Sequence, residues 1–96
     1  MSASNAPEIH QLLLYNYVED MAERRGPYRE AHLARIFAGR EAGMIGMAGA
    51  LGDPPNGGAI VFKGVEPDEV ERWVSEDPYV AAGLVTSHRI LRWNVI

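Results

Sequence analysis

The chain is short and acidic, with 96 residues, 9 basic and 13 acidic side chains and a formal net charge of −4 at pH 7. Nucleic acids and anionic membranes attract concentrated positive charge, whereas the basic residues here are spread along the sequence, so neither is predicted as a partner. A hydrophobic fraction of 47% is typical of a globular protein, and the lack of cysteine excludes disulfides and thiol chemistry. We predict one soluble, cytoplasmic domain over residues 1–96, of which residues 1–7 are flexible.

The first predicted element is a strand over residues 8–18, which are rich in leucine and aromatic side chains. Because side chains alternate along a strand, Leu13 and Tyr15 point to one face, and Leu12 and Leu14 point to the other. Both faces of this strand are therefore apolar.

A helix is predicted over residues 27–42, and Gly43 suits the left-handed position that ends it. Leu33, Ile36 and Phe37 recur at i, i+3 and i+4, which is the spacing of one helix face. We expect this face to pack against another element.

Two more strands follow, over residues 44–51 and 59–65, and they are predicted to pair as an antiparallel hairpin. The turn between them, residues 52–58, is dense in glycine and proline. The glycines of the first of these strands do not predict a phosphate-binding loop, because they lead into a turn and not into a helix.

A second helix is predicted from residue 66, where acidic residues and a proline occupy the first turn. Val70, Trp73 and Val74 form its apolar stripe, and the next position of that series is Asp77. The acidic side chain is therefore expected on the inward face.

A last strand, residues 84–96, completes the order strand, helix, strand, strand, helix, strand. This order predicts an α+β protein with the ferredoxin-like βαββαβ fold, a four-stranded antiparallel sheet with two helices on one face. Two helices cover only one face, whereas the strands carry apolar residues on both. We therefore expect a second copy of the chain to cover the open face, in a homodimer.

Two polar residues on or beside the apolar helix faces are candidate catalytic residues. His32 lies at the edge of the first helix's apolar face, where a polar group needs a partner or lines a cavity. Asp77 precedes Pro78, so it is the N-cap of a short turn, the partner of His32, or both. A carboxylate that orients an imidazole lets the pair move a proton to or from a small molecule.

Other polar residues are assigned by their place in the predicted fold. Arg29, one helical turn before the histidine, and Tyr79 are predicted to bind the substrate, whereas a tyrosine such as Tyr15 is more often a packing residue. The strand residues His10 and His88 are left outside the site. A zinc site needs three or four ligands at recognisable spacing, and because no such spacing occurs no metal is predicted.

Five short segments resemble, in their order and spacing, the YciI-like (YCII-related) proteins of the dimeric α/β-barrel superfamily. They are LLLY at residues 12–15, RxAHL at residues 29–33, AG at residues 48–49, DPY at residues 77–79 and AGL at residues 82–84. The resemblance implies the dimeric α/β-barrel fold. It also implies a His and Asp pair, which by matching positions falls on His32 and Asp77.

The resemblance implies an activity more loosely, because the family and superfamily include cofactor-free enzymes that act on small ring compounds, among them a dehalogenating enzyme and muconolactone isomerases. Our first hypothesis is a cofactor-free enzyme that uses the His/Asp pair to transfer a proton. Its substrate would be a small molecule, aromatic molecules included, and its reaction that of an isomerase, a lyase or a dehalogenase. The alternatives are a non-catalytic dimeric module that binds a small ligand or serves another protein, and a cofactor-independent monooxygenase. The sequence does not specify the substrate.

Overall fold

A computed structural model describes residues 6–96, so the predicted flexible segment 1–7 lies largely outside the described residues. The elements, in chain order, are β1 (Glu8–Tyr17), α1 (Met21–Arg24), α2 (Gly26–Glu41), β2 (Ile45–Leu51), β3 (Gly57–Lys63), α3 (Pro67–Ser75), α4 (Pro78–Ala81) and β4 (Val85–Val95). The strands form one antiparallel sheet in the order β2-β3-β1-β4. This is the ferredoxin-like arrangement predicted from the sequence.

The helical segments begin and end where local residue chemistry favours it. Pro27 occupies the first turn of α2, and Gly43, with a φ of 78°, follows its last turn. At the start of α3, the side chains and backbone N–H groups of Glu66 and Glu69 form a reciprocal capping box. Pro78 opens the separate four-residue helix α4. Within residues 6–96, none of the helices has the length and apolar character needed to cross a membrane.

The main core lies between the sheet and helices α2 and α3. Leu13 of β1 and Phe62 of β3 are buried beneath α3, whose stripe of Val70, Trp73 and Val74 is buried as predicted. The rings of Phe62 and Trp73 meet edge to face at a centroid separation of 5.5 Å, a favourable aromatic geometry. This packing places the end of α3 directly over the first strand.

The predicted packing face of α2 is only partly correct. Ile36 is buried, but Phe37 is 58% exposed. The helix comes closest to the sheet at Gly39, where an added Cβ would lie 2.5 Å from Cδ1 of Ile45. The buried line of α2 runs through His32, Ile36 and Gly39, and Phe37 lies beside that line, where it lines a cleft.

The opposite side of the sheet, here called the open face, carries no helix of residues 6–96. Strand register places four apolar residues in one row across all four strands: Leu91, Leu12, Val61 and Met47. Met47 is 71% exposed. Trp93, two residues after Leu91 on β4 and therefore on the same face, is also exposed. An apolar row of this extent on a sheet is a surface that favours association.

Candidate active site

Asp77 lies between α3 and α4 and is fully buried. Its Oδ1 accepts a hydrogen bond of 3.0 Å from the backbone N–H of Tyr79, which makes it the N-cap of α4. The predicted capping role is therefore present. A cap needs only one carboxylate oxygen and one backbone donor, and Asp77 makes further contacts.

Two side chains from other elements also bind the Asp77 carboxylate. His32 of α2 places its Nδ1 2.8 Å from Oδ1, and the hydroxyl of Tyr15 on β1 donates to Oδ2 over 2.7 Å. Burial acts to raise the pKa of Asp77, but the hydrogen bond and charge of His32 and the donors of Tyr15 and Tyr79 hold that pKa below its ordinary value. The structure thus brings the two predicted catalytic residues together around an ionised carboxylate.

The ionised carboxylate determines which ring nitrogen of His32 carries the proton. A carboxylate can only accept hydrogen bonds, so Nδ1 donates its N–H to Asp77. In the neutral form of the ring, Nε2 is then the acceptor nitrogen, and His32 has no hydrogen bond through Nε2 to another of residues 6–96. His32 also lines a cleft. The side chain that Asp77 orients is therefore part of the wall that a molecule in the cleft would meet.

Aromatic rings hold the imidazole of His32 in place. The ring of Tyr79 stacks on it with a centroid separation of 3.9 Å and an interplanar angle of 10°. Trp73 approaches it edge-on at 6.3 Å. With one nitrogen bound to Asp77 and both neighbouring rings packed, the imidazole is oriented before any ligand arrives.

The cleft has a volume of about 320 Å³ and lies between α2 and the β2–β3 half of the sheet. Its apolar wall includes Leu33 and Phe37 of α2, and its floor includes Gly49 and Gly58. Arg29 and the ring of Tyr79, the two predicted substrate-binding residues, also line it. Their role in binding a substrate stays a prediction.

A family model, described as the YCII-related domain, matches residues 10–94. The chain belongs to the YCII-related family. The resemblance predicted from the short segments is therefore confirmed. No curated protein matches the chain.

Among solved structures, this YCII-related chain is similar to the 5-chloro-2-hydroxyhydroquinone dehydrochlorinase of Burkholderia phenoliruptrix in complex with 2,5-dihydroxybenzoquinone. The identity is 23%, the TM-score is 0.74, and the match covers 88% of this chain and 92% of the other. A likeness at this identity is one of fold. It confirms the predicted α+β, ferredoxin-like subunit fold of the dimeric α/β barrels.

The hydroxyl of Tyr17 was missed as part of the site. Tyr17 lines the cleft, and burial raises the pKa of its hydroxyl, so it stays a neutral hydrogen-bond donor. It fits because position 58 is glycine: a Cβ on Gly58 would lie 2.6 Å from the Tyr17 oxygen. The alternation of β1 was the available signal, because it puts Tyr17 on the same face as Tyr15 and Leu13.

The other histidines lie outside the cleft. His88 pairs with Glu71 on the exposed side of α3 and β4. His10 lies on the open face, near Glu8. Across residues 6–96, no three histidine, cysteine, aspartate or glutamate side chains are grouped so as to hold a metal ion.

Proposed function

We propose that this YCII-related protein is a cofactor-free enzyme that uses His32 and Asp77 to transfer a proton on a small molecule. One observation carries the proposal: Nδ1 of His32 is bound to a fully buried carboxylate while His32 lines a cleft and Nε2 has no partner within residues 6–96. A histidine that only packed would have no need of an oriented, accessible nitrogen.

The proposed chemistry starts when Nε2 of His32 takes a proton from a carbon or oxygen of the bound molecule. The imidazolium that forms is stabilised by the charge of Asp77, to which it already donates through Nδ1. In an isomerisation, the imidazolium returns the proton to a different atom of the substrate. In an elimination, the electron pair of the broken C–H bond forms a double bond, and the leaving group departs with its own bonding pair.

The cleft supports a small ring compound as the substrate. Its volume of about 320 Å³ and its wall of Leu33 and Phe37 suit one ring with short substituents. The solved relative is named a dehydrochlorinase and holds a dihydroxybenzoquinone, so elimination of a halide from a hydroxylated ring is the first reaction to try. In this proposal Arg29 and Tyr79 bind the substrate.

We also propose that the protein is a homodimer joined through the open face. The row formed by Leu12, Leu91, Val61 and Met47 supports this, because a second copy would remove it from water. The cytoplasmic location stays a prediction from the cysteine-free sequence.

The experiment is a conversion screen on the purified protein with a panel of hydroxylated and halogenated ring compounds and lactones, analysed by mass spectrometry and by solvent deuterium incorporation. We expect a compound that the wild type converts, and a loss of about 10²- to 10⁴-fold in rate for His32→Gln, as general base catalysis predicts. His88→Gln is the matched control, because that histidine lies on the surface, and its rate should equal that of the wild type. Binding without conversion, or equal rates for the two variants, would favour the non-catalytic module.

A further inference from the structure

Three arginines line the cleft that contains His32. They are Arg25, which precedes α2, and Arg29 and Arg40 on α2 itself. No carboxylate side chain within residues 6–96 lines the same cleft, because Asp77 lies behind the imidazole. A chain with a net charge of −4 thus concentrates positive charge at one concave site, where it attracts anions most effectively.

The arginines outside the cleft in the same helical region are neutralised. Arg24 lies 3.5 Å from Asp20, and Arg35 lies 3.6 Å from Glu76. Arg35 also covers the ring of Trp73 at 4.3 Å and donates to its backbone carbonyl. The cleft arginines, by contrast, form no ion pair with any carboxylate of residues 6–96. Their guanidinium groups therefore have no carboxylate partner among residues 6–96 and are available to an anion in the cleft.

Two of the cleft arginines lie at the catalytic end. Arg25 and Arg29 are four residues apart, and Arg29 is one turn before His32, so they share one side of the helix start. Both arginines line the same cleft as Tyr79, and their charges oppose the rise that burial produces in the pKa of Tyr79. Arg40 is farther away, on the order of 16 Å along the helix axis from Arg29.

We propose that this site takes a compact organic anion, with a carboxylate bound by Arg25 and Arg29 beside His32 and a ring against Leu33. The planar guanidinium fork matches a carboxylate with two parallel hydrogen bonds. The apolar wall and the volume of about 320 Å³ suit a single ring with short substituents. This inference rests on the proposed function and names its substrate class.

The same charges also assist the proposed proton transfer. When Nε2 of His32 takes a proton from a carbon, negative charge develops on the substrate, which already carries its carboxylate. Fixed guanidinium groups at that end stabilise this second charge without having to reorganise. A neutral ring compound would leave the two arginines without a charged partner in the ground state and would engage their charge only as the proton leaves.

The test measures binding by NMR, with benzoate, benzamide and inorganic phosphate as probes, and follows the amide and side-chain signals of Tyr79 and Trp73. Benzoate and benzamide have nearly the same shape and differ in charge. We expect benzoate to bind at least about tenfold more tightly than benzamide, and to lose this advantage as salt is added. Equal affinity of the two, or no binding of benzoate, would overturn the inference, and tighter binding of phosphate would overturn the assignment to a carboxylate.

Substitutions then locate the anion. Arg25→Gln and Arg29→Gln should each lower the affinity for benzoate by about tenfold, because each removes one charge-assisted contact. The affinity for benzamide should be unchanged. Arg72→Gln on the exposed side of α3 changes the net charge equally and lies outside the cleft, so it should bind benzoate as the wild type does. Equal losses in the Arg29 and Arg72 variants would reduce the effect to net charge and contradict the inference.

Binding and conversion separate this inference from the proposed function. Benzoate binding that depends on the two arginines, in a protein that converts no compound, supports the anion site and contradicts the enzyme. Conversion of neutral ring compounds that depends on His32, with no preference for benzoate, supports the enzyme and contradicts the anion site.

Discussion

The two faces of the sheet are built from alternate residues of the same strands, yet they have different fates. On β1, Leu13 is fully buried beneath the helices, whereas its neighbour Leu12 is half-buried on the open face. The same alternation leaves Met47 and Leu91 exposed. Strand composition therefore decides that both faces are apolar, and the number of helices decides which of them a single chain can bury.

The two faces also differ in whether their buried polar groups have hydrogen-bond partners. Beneath the helices, the carboxylate of Asp77 is satisfied by donors from three elements, and the ring it orients meets a cleft. On the open face, Nδ1 of His10 is buried without a hydrogen-bond partner among the described residues. A polar site needs partners from several elements, and only the covered face supplies them within one chain.

The largest expected effect contrasts the two tryptophans, one on each side of the sheet. Trp73 is 7% exposed and Trp93 is 44% exposed. Trp73→Ala should lower the free energy of unfolding by about 3–5 kcal/mol, as expected for a buried aromatic residue. Trp93→Ala is the matched control and should cost less than half as much, provided both variants are unfolded with urea at a protein concentration low enough for single chains, where the open face is uncovered. Equal losses would mean that the two faces contribute alike to the fold of one chain.

The next effect is on assembly. Met47→Lys combined with Leu91→Lys places two charges in the apolar row of the open face, where a dimer would have to bury them. We expect the wild type to scatter light as two chains at micromolar concentration and the double variant as one, with a dissociation constant raised by a factor on the order of 100 or more.

The control for assembly adds the same charges elsewhere. Ala34→Lys combined with Ala38→Lys changes exposed positions of α2 outside the cleft, and it should leave the mass unchanged. A wild type that behaves as one chain would rule out the homodimer, and the open face would then need a different partner.

A smaller effect is expected at the polar centre of the covered face. Tyr15→Phe removes the donor to Oδ2 of Asp77 and leaves a buried oxygen unsatisfied, which should cost about 1–3 kcal/mol in the free energy of unfolding. Tyr17→Phe is the control, because its hydroxyl lines the cleft, and it should change stability less. If the two variants lost the same stability, the Tyr15 hydrogen bond would have no special role.

The smallest effect is a dependence on acid. The folded-state pKa of Asp77 lies below its ordinary value of 3.8, so its contribution to stability is present above that value and is lost as the pH falls through the folded-state pKa. Thermal denaturation between pH 7 and pH 2 should show a steeper loss below about pH 4 for the wild type than for Asp77→Asn. Parallel curves for the two proteins would contradict the ionised, hydrogen-bonded carboxylate.

Local spacing was sufficient for much of the fold and for the two central residues. The stripe of α3 follows from Val70, Trp73 and Val74. Asp77 is buried as that series predicts, although α3 ends at Ser75 and the turn into α4 is what places it. His32 was found at the edge of the apolar face of α2, which is a property of one helix alone.

Other features depend on how elements meet, which a single segment does not reveal. Phe37 has the spacing of a core residue, but α2 packs on the sheet along His32, Ile36 and Gly39, and Phe37 stays exposed beside that line. Tyr15 binds Asp77 because β1 lies beneath the end of α3, and this follows only from the assembled sheet. Arg25 and Arg40 line a cleft whose second wall comes from β2 and β3. Their place in one cleft therefore could not be predicted from the sequence of α2 alone.

Oδ1 of Asp77 both caps α4 and orients His32, and this shared atom constrains how the sequence can diverge. A substitution of Asp77 that removes its side-chain oxygens loses both the cap and the contact with the imidazole, whereas a substitution of His32 loses only the second contact. Descendants that abandoned the chemistry would be held at this position by the need to fold. Within the family, an aspartate here is therefore a poor indicator of activity, whereas a change at His32 is a good one.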